Sequence, residues 1–146
     1  MGPSDAAWLA QGARRLFDAP ANVPALRAYL ADRSNIFLLA SERETALGFL
    51  RGTSLRQIST ARKQMFLYEV SVAPKFRRRG VGTALIDRLL RYCRTRRYEE
   101  AFVLTEPRNF AAVRLYRRTG AATETRGDRM FVYRMADRGR RDRPPS

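Results

Sequence analysis

The sequence contains no histidine, and that absence removes several chemistries at once. Zinc sites with imidazole ligands, Ser-His-Asp triads and imidazole acid–base catalysis all need a residue the chain lacks. It has one cysteine, Cys93, so no disulfide can close within the chain, in keeping with a reducing compartment. A covalent acyl-cysteine route would need a base beside Cys93, yet that residue falls on the apolar stripe of a helical pattern and reads as core. Apolar runs are short. None reaches the ~18 residues that a membrane-spanning helix requires, and no leader-like segment precedes Trp8. The expectations are therefore no metal, no membrane association and a cytoplasmic location.

Lysine is nearly absent too. Lys63 and Lys75 are the only lysines among 29 basic residues, and with 14 acids the formal net charge is +15. Arginine forks bind phosphate in bidentate fashion, so one reading is a polyanionic partner. The other is a genome whose base composition writes arginine where others write lysine. The arginines are spread along the chain, whereas nucleic-acid binders cluster them, so nucleic acid is not the expected partner.

What is present suits one globular domain. The chain has 146 residues, 45% of them hydrophobic, enough for a packed core without staples. Residues 1–136 read as the domain, and residues 137–146 as an Arg/Pro-rich disordered tail. Ser4 and Asp5 can cap a helix running to Phe17, with Trp8, Leu9 and Leu16 inward. Pro24 opens a second short helix outlined by Val23, Leu26, Tyr29 and Leu30. Strands are expected at 36–40, 46–52, 65–72 and 101–105, with a mobile loop at 53–64. A helix from Gly80 or Val81 to Arg97 carries Leu85, Leu89 and Cys93 on one stripe and Arg88, Arg91 and Arg94 off it. Asn109 can cap a further helix ending at Gly120. Segments 123–126 and 129–135 flank Gly127-Asp128 as a hairpin. Phe37, Phe49, Phe66, Phe102 and Phe131 read as core.

One stretch carries chemistry of its own. After the most strand-like run comes Pro74-Lys75-Phe76-Arg77-Arg78-Arg79-Gly80-Val81-Gly82-Thr83. Two glycines let backbone approach a ligand closely. The first-turn N–H groups of the helix that follows lack intrahelical partners, and the helix dipole adds positive potential. This is an anion site of the kind that binds pyrophosphate, strengthened by three arginines. A dinucleotide fingerprint would want glycine where Leu85 stands, and no Gly-Lys-Ser/Thr is present for a phosphate-binding loop of that type. The plain alternative is a solvated basic turn before an ordinary helix.

Leu67-Tyr68-Glu69-Val70-Ser71-Val72, followed by Arg77 to Ile86, resembles the core signature of the GNAT superfamily of N-acetyltransferases. Asn109-Phe110-Ala111-Ala112-Val113-Arg114-Leu115-Tyr116, ending at Gly120, resembles that superfamily's second signature. The resemblance covers about residues 26 to 135. Within the superfamily the pattern is most similar to the aminoglycoside 3-N-acetyltransferases, whose Tyr-Asp-Leu-Ala-Val precedes an Arg-Arg-x-Gly run at the same separation. It departs from them at Glu106-Pro107-Arg108-Asn109, where that family is Asp-rich, and in lacking their strand ahead of the first helix.

The resemblance implies a single α/β (α+β) domain: a mixed, mostly antiparallel sheet flanked by helices, with splayed central strands. It implies acetyl-CoA as cofactor, held by Val70, Ser71, Val72, Arg77, Arg78, Arg79, Gly80, Val81, Gly82, Thr83, Asn109 and Tyr116. The acceptor would be a primary amine of a small polar molecule, with an aminoglycoside the leading case. An ammonium must lose a proton before it attacks, and without histidine a carboxylate is the natural base. Glu69 stands at the family's base position, and an acid in an apolar strand favours function over simple pairing with an arginine. A backbone N–H near Val70–Val72 would receive the developing oxyanion, and Tyr116 would assist the departing thiolate. Glu106 and Glu124, with Glu69, would offset the arginines around a cationic acceptor. A homodimer is common in such families. The competing functions are an acetyltransferase for a protein N-terminus or lysine, and a non-catalytic RNA-binding module.

Overall fold

The computed structural model describes residues 1–123 and 131. Glu124, nearly all of the expected hairpin and the Arg/Pro-rich tail lie outside the described residues.

Four strands form one sheet in the order β1 (Asn35–Glu42), β2 (Thr45–Arg56), β3 (Lys63–Val72), β4 (Glu100–Val103). The first three are antiparallel, joined by tight connections, and β4 lies parallel to β3. A parallel neighbour requires a crossover, which helix α3 (Val81–Thr95) supplies. Helices α1 (Ala6–Gly12) and α2 (Val23–Ala31) precede the sheet, and α4 (Phe110–Arg118) follows β4. The expected mixed, mostly antiparallel sheet flanked by helices is what forms.

Strand alternation sorts the core into two layers. On one face Phe37 and Phe49 stack at 5.2 Å with rings 7° apart, covered by Leu9, Ala13 and Leu16. On the other, Ile36, Leu50, Met65 and Leu67 pack against Leu85, Ile86, Leu89 and Cys93 of α3. The stripe read from the sequence is thus the buried face of α3, while Arg88, Arg91 and Arg94 are exposed. Burial pushes the Cys93 thiol up, away from the thiolate form, which fits its role as core.

Several local expectations are corrected. The first helix is not continuous to Phe17: α1 ends at Gly12, and a separate 3-10 turn covers Arg14–Leu16. Asp5 stands at its start without a side-chain cap, because its carboxylate accepts the Gly2 N–H at 2.8 Å. The buried positions Ala6, Leu9, Ala13 and Leu16 follow helical spacing that leaves Trp8 one position off, and Trp8 is 45% exposed. The 53–64 loop is shorter than expected: β2 and β3 continue to pair from Thr53↔Phe66 to Arg56↔Lys63, which leaves 57–62 as the connection. Phe131 is exposed rather than core, and Phe66 and Phe102 are half-buried, stacked on each other across β3 and β4 at 5.1 Å. The helix capped by Asn109 stops at Arg118, and Gly120 takes the left-handed turn beyond it at φ 95°.

Two irregularities position the site. The β2–β3 register runs Arg51↔Glu69 and then Gly52↔Leu67, so Tyr68 is an extra, unmatched residue. Such a bulge shifts the alternation by one. Met65 and Leu67 face α3, and beyond the bulge Val70 does so, while Glu69 and Ser71 face the α1/α2 side. The second irregularity is a parting of strands. β4 pairs with β3 only from Gln64↔Glu100 to Leu67↔Val103. Past that point Tyr68–Val72 has no strand on that side among the described residues, which is the expected splay.

Candidate active site

The Tyr68 bulge delivers Glu69 into a cleft of about 460 Å³ between the sheet and α2. Phe17, Leu26, Tyr29 and Phe37 supply apolar wall, and Asp18, Arg51 and Glu69 are the charged residues lining it. Glu69 Oε2 accepts the Arg51 Nε–H at 2.7 Å, and the side chains remain 29% and 35% exposed. Arg51 lies over the Tyr68 ring, 4.2 Å from its centroid, and 6.0 Å from that of Tyr29. Tyr29 is fixed in turn: its hydroxyl donates to the Gly52 carbonyl at 2.8 Å and lies 3.1 Å from that of Ile36. Burial, the largest influence, pushes the Tyr29 hydroxyl up to about 12.

The main chain beside Glu69 is open on one side. The Ala73 N–H donates to the Leu47 carbonyl at 2.9 Å. Antiparallel bonding alternates, so with this register Ser71 and Glu69 direct their main-chain groups to β2. Val70 and Val72 therefore direct theirs towards the gap left by β4. Ser71 also commits its hydroxyl, which donates to the Leu16 carbonyl at 3.1 Å. Any main-chain contact from this segment to a ligand comes from Val70 and Val72.

The basic turn follows directly. Gly80 caps α3 in the left-handed region at φ 80°, and no heavy atom lies within 4 Å of where a Cβ would stand. No side chain caps the helix, and its first turn carries no acid, so the N–H groups of Val81, Gly82 and Thr83 are presented outward. Arg77 ties the turn to the strand end by donating its Nε–H to the Val72 carbonyl at 3.1 Å. Arg78 and Arg79 are exposed beside it. Gly82 has a different purpose from Gly80. A Cβ there would stand 3.1 Å from Leu115 Cδ2, so its small size admits α4 against α3.

Tyr116 is half-buried on α4, packed against the α3-side core. Desolvation pushes its hydroxyl up, so the group stays protonated beyond the usual tyrosine range. Asn109 caps α4, its Oδ1 accepting the Ala112 N–H at 3.2 Å. Glu106 lies on the exposed segment before α4 and does not line the cleft with Glu69. The sequence reading expects an acceptor groove built by residues 17–33, 53–64 and 106–108; the structure groups Glu69 with Asp18 and Tyr29 from the first of these segments, and with Arg51, which lies in none of them. Arg51 did carry a signal, as a charged residue directly after the apolar pair Phe49-Leu50 in a strand. Among the described residues no cluster of His, Cys, Asp or Glu could hold a metal ion, and no helix is long and apolar enough to cross a membrane.

Comparison with known proteins gives this geometry a family. The chain is 26% identical over 107 residues to N-acetyltransferase family 8 member 3 of Mus musculus, spanning 73% of this chain and 46% of that protein. It thus spans about half the length of the curated relatives it matches. An aminoglycoside acetyltransferase from an uncultured soil metagenomic sample, solved with sisomicin, shares the fold with a TM-score of 0.81 at 19% identity, over 91% of this chain and 92% of its own. A ribosomal-protein-alanine N-acetyltransferase from Brucella melitensis does so with a TM-score of 0.73 at 20% identity, over 92% and 96%. Residues 6–121, which include the cleft, the open strand edge, the basic turn and α4, match the Acetyltransferase (GNAT) family, and the chain belongs to that family of acyltransferases, whose acyl donor is acetyl-CoA.

Proposed function

We propose that this chain transfers the acetyl group of acetyl-CoA to the primary amine of a small polar molecule, with Glu69 as general base. The observation that carries this is the placement of Glu69. A bulge turns its carboxylate into an apolar-walled cleft, next to main chain that the neighbouring strand leaves open.

The residues present fit the cofactor. The left-handed Gly80 leaves an open cradle at the start of α3, with three arginines beside it, and this suits a pyrophosphate. The arginines from Arg77 to Arg79 and the amides of Gly80 to Thr83 would hold it there. Val70 and Val72 offer main-chain donors and acceptors to an extended arm, and Asn109 is assigned the same arm. Bound acetyl-CoA supplies an activated acyl thioester. Glu69 accepts a proton from the acceptor's ammonium and so frees the amine lone pair that attacks, since only its Oε2 is engaged among the described residues. A Val70 or Val72 N–H meets the negative charge developing on the acyl oxygen. The Tyr116 hydroxyl, kept protonated by burial, donates to the departing sulfur.

For the acceptor, the fold shared with an aminoglycoside acetyltransferase supports an aminoglycoside amine, and the motif resemblance alone supports the 3-N position. Glu106 and Glu124 are assigned to its outer contacts. The fold shared with a ribosomal-protein-alanine N-acetyltransferase supports a protein N-terminus as the second reading. An acceptor screen with detection of free thiol, covering aminoglycosides, polyamines and N-terminal peptides, tests the proposal. Acceptor-dependent thiol release that Glu69→Gln abolishes is expected. Tight acetyl-CoA binding with no release for any amine would refute acetyl transfer.

A further inference from the structure

We propose that Arg51 forms an anion subsite within the acceptor cleft, so that the preferred acceptor carries a carboxylate on the carbon that bears its amine, as an α-amino acid does. This rests on the acetyl-transfer reading, and it departs from the aminoglycoside acceptor, which carries no such carboxylate.

The argument begins with how Arg51 is held. A guanidinium whose only task is to neutralise a carboxylate pairs with it through two parallel hydrogen bonds. Here the contact is single: Nε donates to Glu69 Oε2 at 2.7 Å, and among the described residues neither Nη group has a hydrogen-bond partner. The side chain lines the cleft and is 35% exposed, so those donors are accessible from it. The guanidinium lies 4.2 Å from the Tyr68 ring centroid, a contact that stacking arginines favour and that restricts the side chain before any ligand arrives. The Tyr29 ring, anchored by its own bonds to the sheet, borders it further off.

The charges then select. Where Glu69 and Arg51 touch, the cleft presents one negative and one positive group side by side, with the Asp18 carboxylate the other charge on its lining. An acceptor with only an ammonium meets Glu69 but brings a second cation towards Arg51. An acceptor with ammonium and carboxylate on one carbon places each beside its opposite, so the four charges alternate in sign. The Nη donors supply a fork for the carboxylate, and the walls of Phe17, Leu26 and Phe37 receive an apolar side chain.

The test compares matched pairs on the full chain: L-phenylalanine with L-phenylalaninamide, and L-leucine with L-leucinamide, with kanamycin as a third arm. Thiol release is followed, and kcat/KM is compared at about pH 6, where acids and amides are both present almost entirely as the ammonium that Glu69 meets. Hydrogen bonds to charged groups predict that the acids exceed their amides by about 10- to 100-fold, mainly through KM. Arg51→Met should bring each ratio to within a few-fold by raising KM for the acid, and Arg51→Lys should keep part of the preference. Should Arg51→Met fail to fold, the native ratio and the lysine variant decide the matter. Amides used as well as acids, or a ratio that Arg51→Met leaves intact, would overturn the subsite. So would acetylation of kanamycin with no turnover of any α-amino acid, an outcome that leaves acetyl transfer standing. No thiol release with any amine would remove both.

Discussion

Replacing Glu69 with glutamine removes a charge and almost no volume, so its effects on stability and on chemistry can be separated in advance. The Arg51–Glu69 pair is short at 2.7 Å, but its side chains are 35% and 29% exposed. At such exposure solvent screening holds an ion pair to about 0.2–1 kcal/mol. A glutamine carbonyl can still accept the Arg51 Nε–H, so the loss should lie at the lower end. For a chain of this size about 1 kcal/mol corresponds to roughly 2–4 °C, and the melting temperature should fall by no more than that. Acetyl-CoA affinity, read by calorimetry, should stay near native, because the Gly80 cradle belongs to a separate turn at the start of α3.

Turnover should behave differently. A positioned general base contributes roughly 10²–10⁴-fold, and glutamine cannot take the proton, so kcat should fall by that factor. Stopped-time thiol release with the best acceptor measures it. Turnover within a few-fold of native would refute the assignment. If Glu106→Gln then lost turnover instead, the base would be Glu106, from the exposed segment before α4. If neither variant lost it, the proton leaves through water or through the substrate itself.

Four further outcomes follow from the same geometry. Gly80→Ala forces a side chain into the left-handed region at φ 80°, a strain of about 1–2 kcal/mol, and calorimetry should show weaker acetyl-CoA binding. Gly82→Ala places a Cβ 3.1 Å from the mobile end of Leu115 but also removes a glycine from a helix, so thermal melting should change by less than about 1 kcal/mol while acetyl-CoA affinity stays near native. Tyr116→Phe should lower kcat less than Glu69→Gln does; because burial raises the Tyr116 hydroxyl, the alkaline fall in native kcat should come above the usual tyrosine range. Tyr29 binds its proton more tightly folded than unfolded, so its stabilisation is complete below 10 and lost as pH rises towards about 12; denaturant titration across that window should show the decline, and Tyr29→Phe should flatten it.

The geometry of the turn proposed to hold the cofactor was legible in the sequence because it is local. Leu85, Leu89 and Cys93 mark α3 by their spacing, and Gly80 announces the turn ahead of it. The acceptor half was legible only in part: residues 17–33 were expected to wall the groove, but what brings Glu69 and Arg51 to that wall is register. Regular alternation through Met65, Leu67 and Glu69 would put the carboxylate on the α3 face, among Leu85 and Leu89. Only the extra residue at Tyr68 sends it to the cleft, and a bulge is a property of the β2–β3 pair, which no single segment records. Arg51 was missed for the same reason. Its partner is 18 residues away, and the contact exists only once the strands are aligned. The 53–64 segment looked like a loop throughout because its polar residues have no clear period, yet cross-strand pairing makes both its ends strand and leaves the loop at 57–62.

Position also settles what the net charge of +15 can do. Arg88, Arg91 and Arg94 are exposed on α3, and Arg114, Arg117 and Arg118 are exposed on α4. At physiological salt the field of such charges decays over about 8 Å, so arginines on the surface act weakly on a ligand bound beyond that distance. The charges that line the acceptor cleft act at contact distance, and they are Glu69, Asp18 and Arg51. Genome composition can explain why arginine is abundant, but it does not place one arginine against both Glu69 and the Tyr68 ring on the lining of the cleft. Acceptor choice is therefore to be read from Arg51 and its two neighbours, and a chain with far fewer surface arginines but the same three residues should prefer the same amine.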